Sequence, residues 1–176
     1  MFRNLVLVGF MGSGKSSVGR ILSSLTGFAL VDTDTLVAQE AGQSIPAIFK
    51  QHGEEHFRAL ETKVLQSLVG RIGLIVATGG GVIIAEENRN ILPQIGPVVW
   101  LDASTDQLFQ RVKNSKRPLL QTDDPRRTVE ELYLAREPLY RDAATIRIDS
   151  GALTHRQTAE AVLAAVQRQQ QQSQQQ

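Results

Sequence analysis

The sequence predicts an α/β fold in three αβα layers, with a five-stranded parallel sheet between its helices. Three observations carry that expectation. Five short apolar runs, Asn4–Val8, Phe28–Val31, Leu74–Ala77, Val98–Leu101 and Thr145–Ile148, have the length and composition of buried strands. Longer segments with helical spacing separate them, and such alternation implies parallel pairing with both faces covered. Directly after the first run stands Gly9-Phe10-Met11-Gly12-Ser13-Gly14-Lys15-Ser16, a full phosphate-loop motif in the strand–loop–helix setting it requires. Ligands on such sheets bind beyond the carboxyl ends of the strands, so residues that follow the runs are the functional candidates.

In the phosphate loop the glycines allow successive N–H groups to face the β- and γ-phosphates at a helix N-terminus. Gly12, Ser13, Gly14, Lys15, Ser16 and Ser17 are therefore expected to bind ATP or GTP. Lys15 reaches the terminal phosphates, and the Ser16 hydroxyl serves Mg2+ directly. The second run leads into Asp32-Thr33-Asp34, where small kinases place a metal-side carboxylate. Residues 44–69 read as helices, the second with Phe57, Leu60, Val64 and Leu68 at core spacing. Glu61 lies on that same stripe, and Arg58 stands three residues before it, within side-chain reach.

The third run ends in Gly79-Gly80-Gly81, without the metal-orienting Asp common in phosphate-loop proteins. The fourth continues into Asp102-Ala103-Ser104 and lacks the Asn-Lys-x-Asp of a GTPase, which favours a kinase. Ser104 with Gln107, Thr128 with Glu131, and Thr154 with Gln157 each fit a capping box at a helix start. The segment 113–127 has five basic residues and no clear period, which suits a lid. Its Arg117 could clamp the γ-phosphate while closure excludes water. After it, Val129, Leu132, Tyr133 and Tyr140 form a stripe that includes Arg136, and Pro138 is expected to bend or end that helix. Two inward arginines, Arg58 and Arg136, suit a carboxylated substrate, because the guanidinium fork binds carboxylates bidentately. The last helix shows Ala159, Val162, Leu163 and Val166 on one face. His52, His56 and His155 read as surface residues without a catalytic or metal role.

Eight of the final ten residues are Gln, so residues 1–166 are expected to form one domain and 167–176 a disordered tail or frayed helix end. The chain has 176 residues, with 19 Lys+Arg against 18 Asp+Glu and no cysteine. A near-neutral charge gives no reason to expect nucleic acid or an anionic membrane as partner, and the absence of Cys excludes disulfides and thiolate metal sites. No run approaches the ~20 apolar residues of a membrane span, and no targeting segment is visible, so a cytoplasmic protein is expected. A monomer is the default, since no long apolar stripe remains once the helix faces are assigned.

Taken in order, the phosphate loop, Asp32-Thr33-Asp34, Gly53-Glu54 with Phe57-Arg58 and Glu61, Gly79–Gly81, Arg117-Pro118-Leu119-Leu120, and Arg136 with Pro138-Leu139-Tyr140 resemble the shikimate kinase family. The ordered set spans about Gly9 to Tyr140. The resemblance implies a fold like the nucleoside monophosphate kinases, with strand order 2-3-1-4-5. It implies transfer of the ATP γ-phosphate to the 3-hydroxyl of shikimate, on the route to chorismate and the aromatic amino acids. Carried over by motif, Asp34 would be the base for the hydroxyl, with Lys15 and Arg117 also catalytic. Arg58, Arg136 and the Gly79–Gly81 backbone, with Asp34, would bind the substrate, and residues 34–70 would be the substrate-binding helices. Glu61 would orient Arg58, and Asp32 would act on Mg2+ through water. Arg111 would face the adenine; the loop Asp149–Leu153 lacks the proline that some members place opposite. A gluconate kinase and a non-catalytic nucleotide-binding module are the rival readings.

Overall fold

The computed structural model describes residues 2–114 and 120–173. Five strands, β1 (Asn4–Val8), β2 (Ala29–Asp32), β3 (Leu74–Ala77), β4 (Val98–Asp102) and β5 (Ile146–Asp149), pair in parallel in the order β2-β3-β1-β4-β5. The runs expected at Phe28–Val31 and Thr145–Ile148 each begin one residue later. Along the chain the helices are α1 (Lys15–Thr26), α2 (Thr33–Ala41), α3 (Ile45–Leu68), α4 (Glu86–Ile95), α5 (Thr105–Val112), α6 (Pro125–Ala143) and α7 (His155–Ser173), with a 3-10 turn at Val82–Ile84.

Successive strand side chains point to opposite faces, so β1 sends Val6 and Val8 into one core and Leu5 and Leu7 into the other. On the first face they meet Leu65 and Leu68 of α3, Leu92 of α4, Leu108 of α5, and Val129 and Tyr140 of α6. On the second they meet Val18 and Leu22 of α1 and Ala159, Val162 and Val166 of α7. The three inner strands are buried throughout, while β2 and β5 alternate or thin out toward solvent as edges do. A smaller cluster, Val37, Ile48, Phe57 and Val64, fastens α2 to α3. At the amino ends of the strands, Asn4 donates to the carbonyls of Arg71 (2.6 Å) and Ile95 (2.8 Å) and accepts from Leu74 N–H (3.0 Å). One buried amide thus joins β1, the approach to β3 and the end of α4.

One local expectation needs correction, and two are narrowed. The helix expected to start at Thr128 starts at Pro125, capped by Asp124, whose side chain accepts from Arg127 N–H at 3.0 Å. An aspartate cap with proline at the first helical position outcompetes the threonine, and residues 125–127 of the expected lid therefore belong to α6. Pro138 neither ends that helix nor takes it out of helical conformation. The carbonyl it leaves without a partner belongs to Leu134, on the exposed face, while Val129 and Tyr140 pack on either side of it. The tail is helical through Ser173. Gln is a fair helix former, and Gln167, Gln170 and Gln171 line a groove of about 440 Å³ with Phe2, Leu25, Phe28 and Leu163. The capping boxes at Ser104–Gln107 and Thr154–Gln157 form as expected. Among the described residues, no helix is long and apolar enough to cross a membrane.

Candidate active site

The phosphate loop, the start of α2 and the triglycine follow the carboxyl ends of β1, β2 and β3. Gly12 (φ 79°) and Gly14 (φ 93°) take left-handed backbone conformations open to glycine, which turns the loop around the N-terminus of α1. Lys15 folds back over it, Nζ donating to the carbonyls of Gly9 (2.7 Å) and Phe10 (3.0 Å). Across the cleft Asp32 caps α2 by accepting from Thr35 N–H at 3.2 Å, and its other oxygen lies 3.5 Å from the Ser16 hydroxyl. Asp34 follows in the first turn of α2.

The triglycine after β3 is the floor of the cleft, and its bareness has a measurable use. A Cβ on Gly79 would stand 2.5 Å from Asp34 Oδ1 and 3.3 Å from Glu61 Oε1; one on Gly81 would stand 2.8 Å from both terminal nitrogens of Arg58. Two side chains from different helices therefore lie directly on backbone. That floor is anchored from two sides. Thr33 Oγ1 accepts from Gly79 N–H at 3.1 Å, and the Tyr140 hydroxyl donates to the Gly80 carbonyl. Burial pushes the Tyr140 hydroxyl well above the ordinary tyrosine value, so it remains a donor, although the Arg136 guanidinium pulls the other way.

Arg58 is held by Glu61 (Nη1 to Oε2, 3.0 Å) and by Glu54 (Nη2 to Oε1, 2.9 Å). Glu61 is 1% exposed, and burial lifts its carboxyl to about 7 against the pull of Arg58. Arg136 lies over the Phe10 ring at 5.8 Å. Its helix is braced through Tyr133, which donates to Asp102 Oδ1 at 2.8 Å, while Arg147 grips the other oxygen at 2.6 and 3.0 Å and stacks on Trp100.

These residues line two adjoining cavities. The larger, about 480 Å³, is bordered by Gly12, Gly14, Lys15, Ser16, Ser17 and Asp32, with Arg111 and His155 at its outer end. The smaller, about 150 Å³, is bordered by Phe49, Phe57, Arg58, Glu61, Gly81 and Arg136. Met11, Asp34, Gly79 and Gly80 border both. Asp34 thus stands where a group could pass from an occupant of one cavity to an occupant of the other.

Of the expected site residues, the structure brings together Gly12, Gly14–Ser17, Asp32, Asp34, Arg58, Glu61, Gly79–Gly81, Arg111 and Arg136 around the two cavities, while Ser13 is buried within the loop. Arg117 lies outside the described residues. Arg111 is tied to the carbonyls of Gly12 (3.3 Å) and Ser150 (3.2 Å). His155 is on the surface as expected, yet its ring lies about 3.3 Å from the position of a Cβ on Gly14. The anchors Thr33 and Tyr140 and the brace Tyr133–Asp102–Arg147 carry no spacing signal that names these roles.

Comparison with known proteins agrees with this layout. A sequence model of the shikimate kinase family matches residues 11–167. A shikimate kinase of Nitrosospira multiformis is 44% identical over 160 residues, covering 90% of this chain and 82% of that protein. One from Marinomonas sp. is 44% identical over 168 residues, covering 94% and 92%. Among solved structures, shikimate kinase from Acinetobacter baumannii in complex with shikimate superposes with a TM-score of 0.91 at 39% identity, covering 96% of this chain and 95% of that one.

Proposed function

We infer the division of labour in the cleft from one premise: the chain belongs to the shikimate kinase family and is an ATP-dependent kinase that phosphorylates shikimate. The observation that carries the assignment is the pair of adjoining cavities with Asp34 between them. One has the backbone and lysine of a phosphate site, the other two guanidiniums suited to a carboxylate. ATP occupies the larger cavity with its phosphates on the amides of Gly12–Ser17, and Lys15 exchanges its carbonyl acceptors for phosphate oxygens. Its adenosine end lies toward Arg111 and His155. Shikimate occupies the smaller cavity, its carboxylate on Arg58 and Arg136 and its ring on the Gly79–Gly81 floor. Asp34 then faces the 3-hydroxyl and takes its proton as the oxygen attacks the γ-phosphorus in line.

Ser16 and Asp32 fit Mg2+, because a hydroxyl and a carboxylate on one rim are hard oxygen donors of the kind Mg2+ takes alongside nucleotide phosphates. Ser16 would bind it directly and Asp32 through water; when bound, the ion neutralises charge on the β- and γ-phosphates. Arg117, from the segment 113–127, would supply a further positive charge to the transferred group, a role worth about 10³–10⁵-fold where an arginine plays it. The protein acts as a monomer, since Leu25, Phe49, Val69, Ile72, Ile84 and Leu134, its exposed large apolar residues among those described, are scattered over different elements. Cytoplasmic residence belongs to the same reading and rests on family membership alone.

The test measures ADP release in the presence of Mg2+ with shikimate, gluconate and a nucleoside monophosphate, for the wild type and Arg136→Ala. We expect turnover with shikimate alone. Arg136→Ala should raise the KM for shikimate about a hundredfold, the scale of losing a buried charge partner, and leave the KM for ATP within threefold. Equal losses for both ligands would make Arg136 a structural residue, and turnover on gluconate without shikimate would overturn the substrate assignment.

A further inference from the structure

Glu61 is the one glutamate in the core among the described residues, and the fold satisfies only half of it. Oε2 accepts from Arg58, whereas Oε1 is buried without a hydrogen-bond donor. A carboxylate oxygen in that state has lost its water and gained nothing in return, a cost that protonation removes. The charged groups that face it are Asp34 from α2, Arg58 on its own helix and Arg136 from α6. Arg58 is shared in addition with the exposed Glu54. The strand β3 and its glycine loop bring backbone only.

Charge counting sharpens the point. Without substrate, Arg58 and Arg136 face Asp34 and Glu61, with the exposed Glu54 on Arg58 as well. A bound carboxylate adds one more negative charge to the acids already facing the two guanidiniums, beside a Glu61 that is itself buried. Neutral Glu61 offsets that added charge and releases the share of Arg58 that Oε2 holds.

We propose that shikimate and a proton enter the site together, with Glu61 as the residue that carries the proton. Glu61 is then a positioning residue with a titratable setting: protonated, it leaves Arg58 to the substrate; ionised, it competes for the same guanidinium. The inference rests on the assignment of Arg58 and Arg136 to the substrate carboxylate. Its direction follows from linkage. A new negative charge beside Glu61 favours the protonated form, so binding takes up a proton and affinity falls as pH rises. With the free carboxyl titrating at about 7, the fall belongs to the range just above neutrality.

Calorimetric titration of the protein with shikimate, without ATP, reads this directly. Binding heats measured at pH 7.5 in phosphate and in Tris differ by the number of protons exchanged with buffer. We expect uptake of about half a proton per shikimate, and a Kd that rises about fivefold between pH 6.5 and 8.5. Glu61→Gln, which keeps the shape in neutral form, should bind with no buffer dependence and a flat pH profile. Loss of Arg58 alignment by itself would weaken binding without moving protons. Zero uptake by the wild type, or uptake that persists in Glu61→Gln, overturns the proposal. Should that variant not fold, 13C carboxyl NMR of the glutamate-labelled wild type follows the same titration. A buried glutamate with its midpoint near 7 that shifts upward on adding shikimate supports the proposal, and a midpoint at the ordinary 4.5 overturns it. Arg136→Ala separates the layers. Unweakened shikimate binding in that variant removes the carboxylate site and the proposal together, whereas weakened binding with no uptake in the wild type removes the proton linkage alone.

Discussion

Replacing Gly79 with alanine probes the placement of Asp34 without touching Asp34. Gly79 is not in the left-handed region, so its backbone accepts a side chain; the site does not. The new methyl would stand 2.5 Å from Asp34 Oδ1, 3.3 Å from its Cγ and 3.3 Å from Glu61 Oε1, where ordinary contact begins at 3.4 Å. The carboxylate must therefore retreat by nearly 1 Å, and a misplacement of about that size in a reacting group can cost about 10²-fold in rate. We expect kcat to fall about a hundredfold in an ADP-release assay at saturating substrates, with the Kd for ATP within twofold because the phosphate loop keeps its shape. Crowding of this kind costs about 1–3 kcal/mol, which for a domain of this size lowers the melting temperature by several degrees. Gly81→Ala is the comparison. Its methyl meets the Arg58 guanidinium at 2.8 Å, the far end of a flexible side chain, so the loss should fall on the KM for shikimate. A folded Gly79→Ala enzyme with kcat within threefold of wild type would refute the reasoning, as would the same division between kcat and KM in both variants.

Two further expectations separate chemistry from scaffold. Asp34→Asn keeps the size of the side chain but cannot accept the hydroxyl proton; turnover should fall about 10²–10⁴-fold, with ATP affinity by calorimetry nearly intact, and undiminished turnover would remove Asp34 from the mechanism. Asn4→Ala strips Leu74 N–H of its acceptor and the carbonyls of Ile95 (a buried bond) and Arg71 (a half-buried one) of their donor at the far end of the sheet. It should cost about 2–4 kcal/mol in urea unfolding and leave both KM values unchanged, so a shifted KM would show that the two ends of the sheet are coupled.

Signals confined to a short stretch of chain were readable in the sequence. The five apolar runs became the five strands, the eight-residue motif forms the loop that turns into α1 and lines the larger cavity, and a break between two helices in 44–69 is the non-helical Gly53 within α3. Where reading failed, a local signal lost to a competitor. Asp124-Pro125 outranked Thr128 as a helix start, and core packing on both sides carried α6 through Pro138. Of the two readings of the Gln run, disorder or a helix end, the helix extends α7 by seven residues, with Gln167, Gln170 and Gln171 beside Phe2 and Leu163. The anchors of the floor were hidden for another reason. Thr33 reaches a residue 46 positions away and Tyr140 one 60 positions away, and no spacing rule encodes a pairing that only the sheet order creates.

Those two anchors explain how a site assembled from distant segments holds its geometry. Thr33 immediately precedes Asp34, so the hydrogen bond to Gly79 N–H fixes Asp34, the proposed base, to the floor through a single residue of backbone. Tyr140 stands one helical turn after Arg136, so its bond to the Gly80 carbonyl fixes Arg136, the proposed partner of the substrate carboxylate, to the same floor. Asp34 and Arg136 lie on helices that grip opposite polar groups of one short loop, the amide of Gly79 and the carbonyl of Gly80. Their separation is therefore set by that loop rather than by packing between α2 and α6. The loop in turn is tied to the sheet by Thr78, whose N–H and hydroxyl both donate to the Leu7 carbonyl at 3.1 and 2.9 Å. Leu7 lies in the strand that feeds the phosphate loop. Asp34, Arg136 and the loop after β1 are thus referred to one junction between β1 and β3, and the three glycines are bare so that the groups can come close enough for that reference to hold.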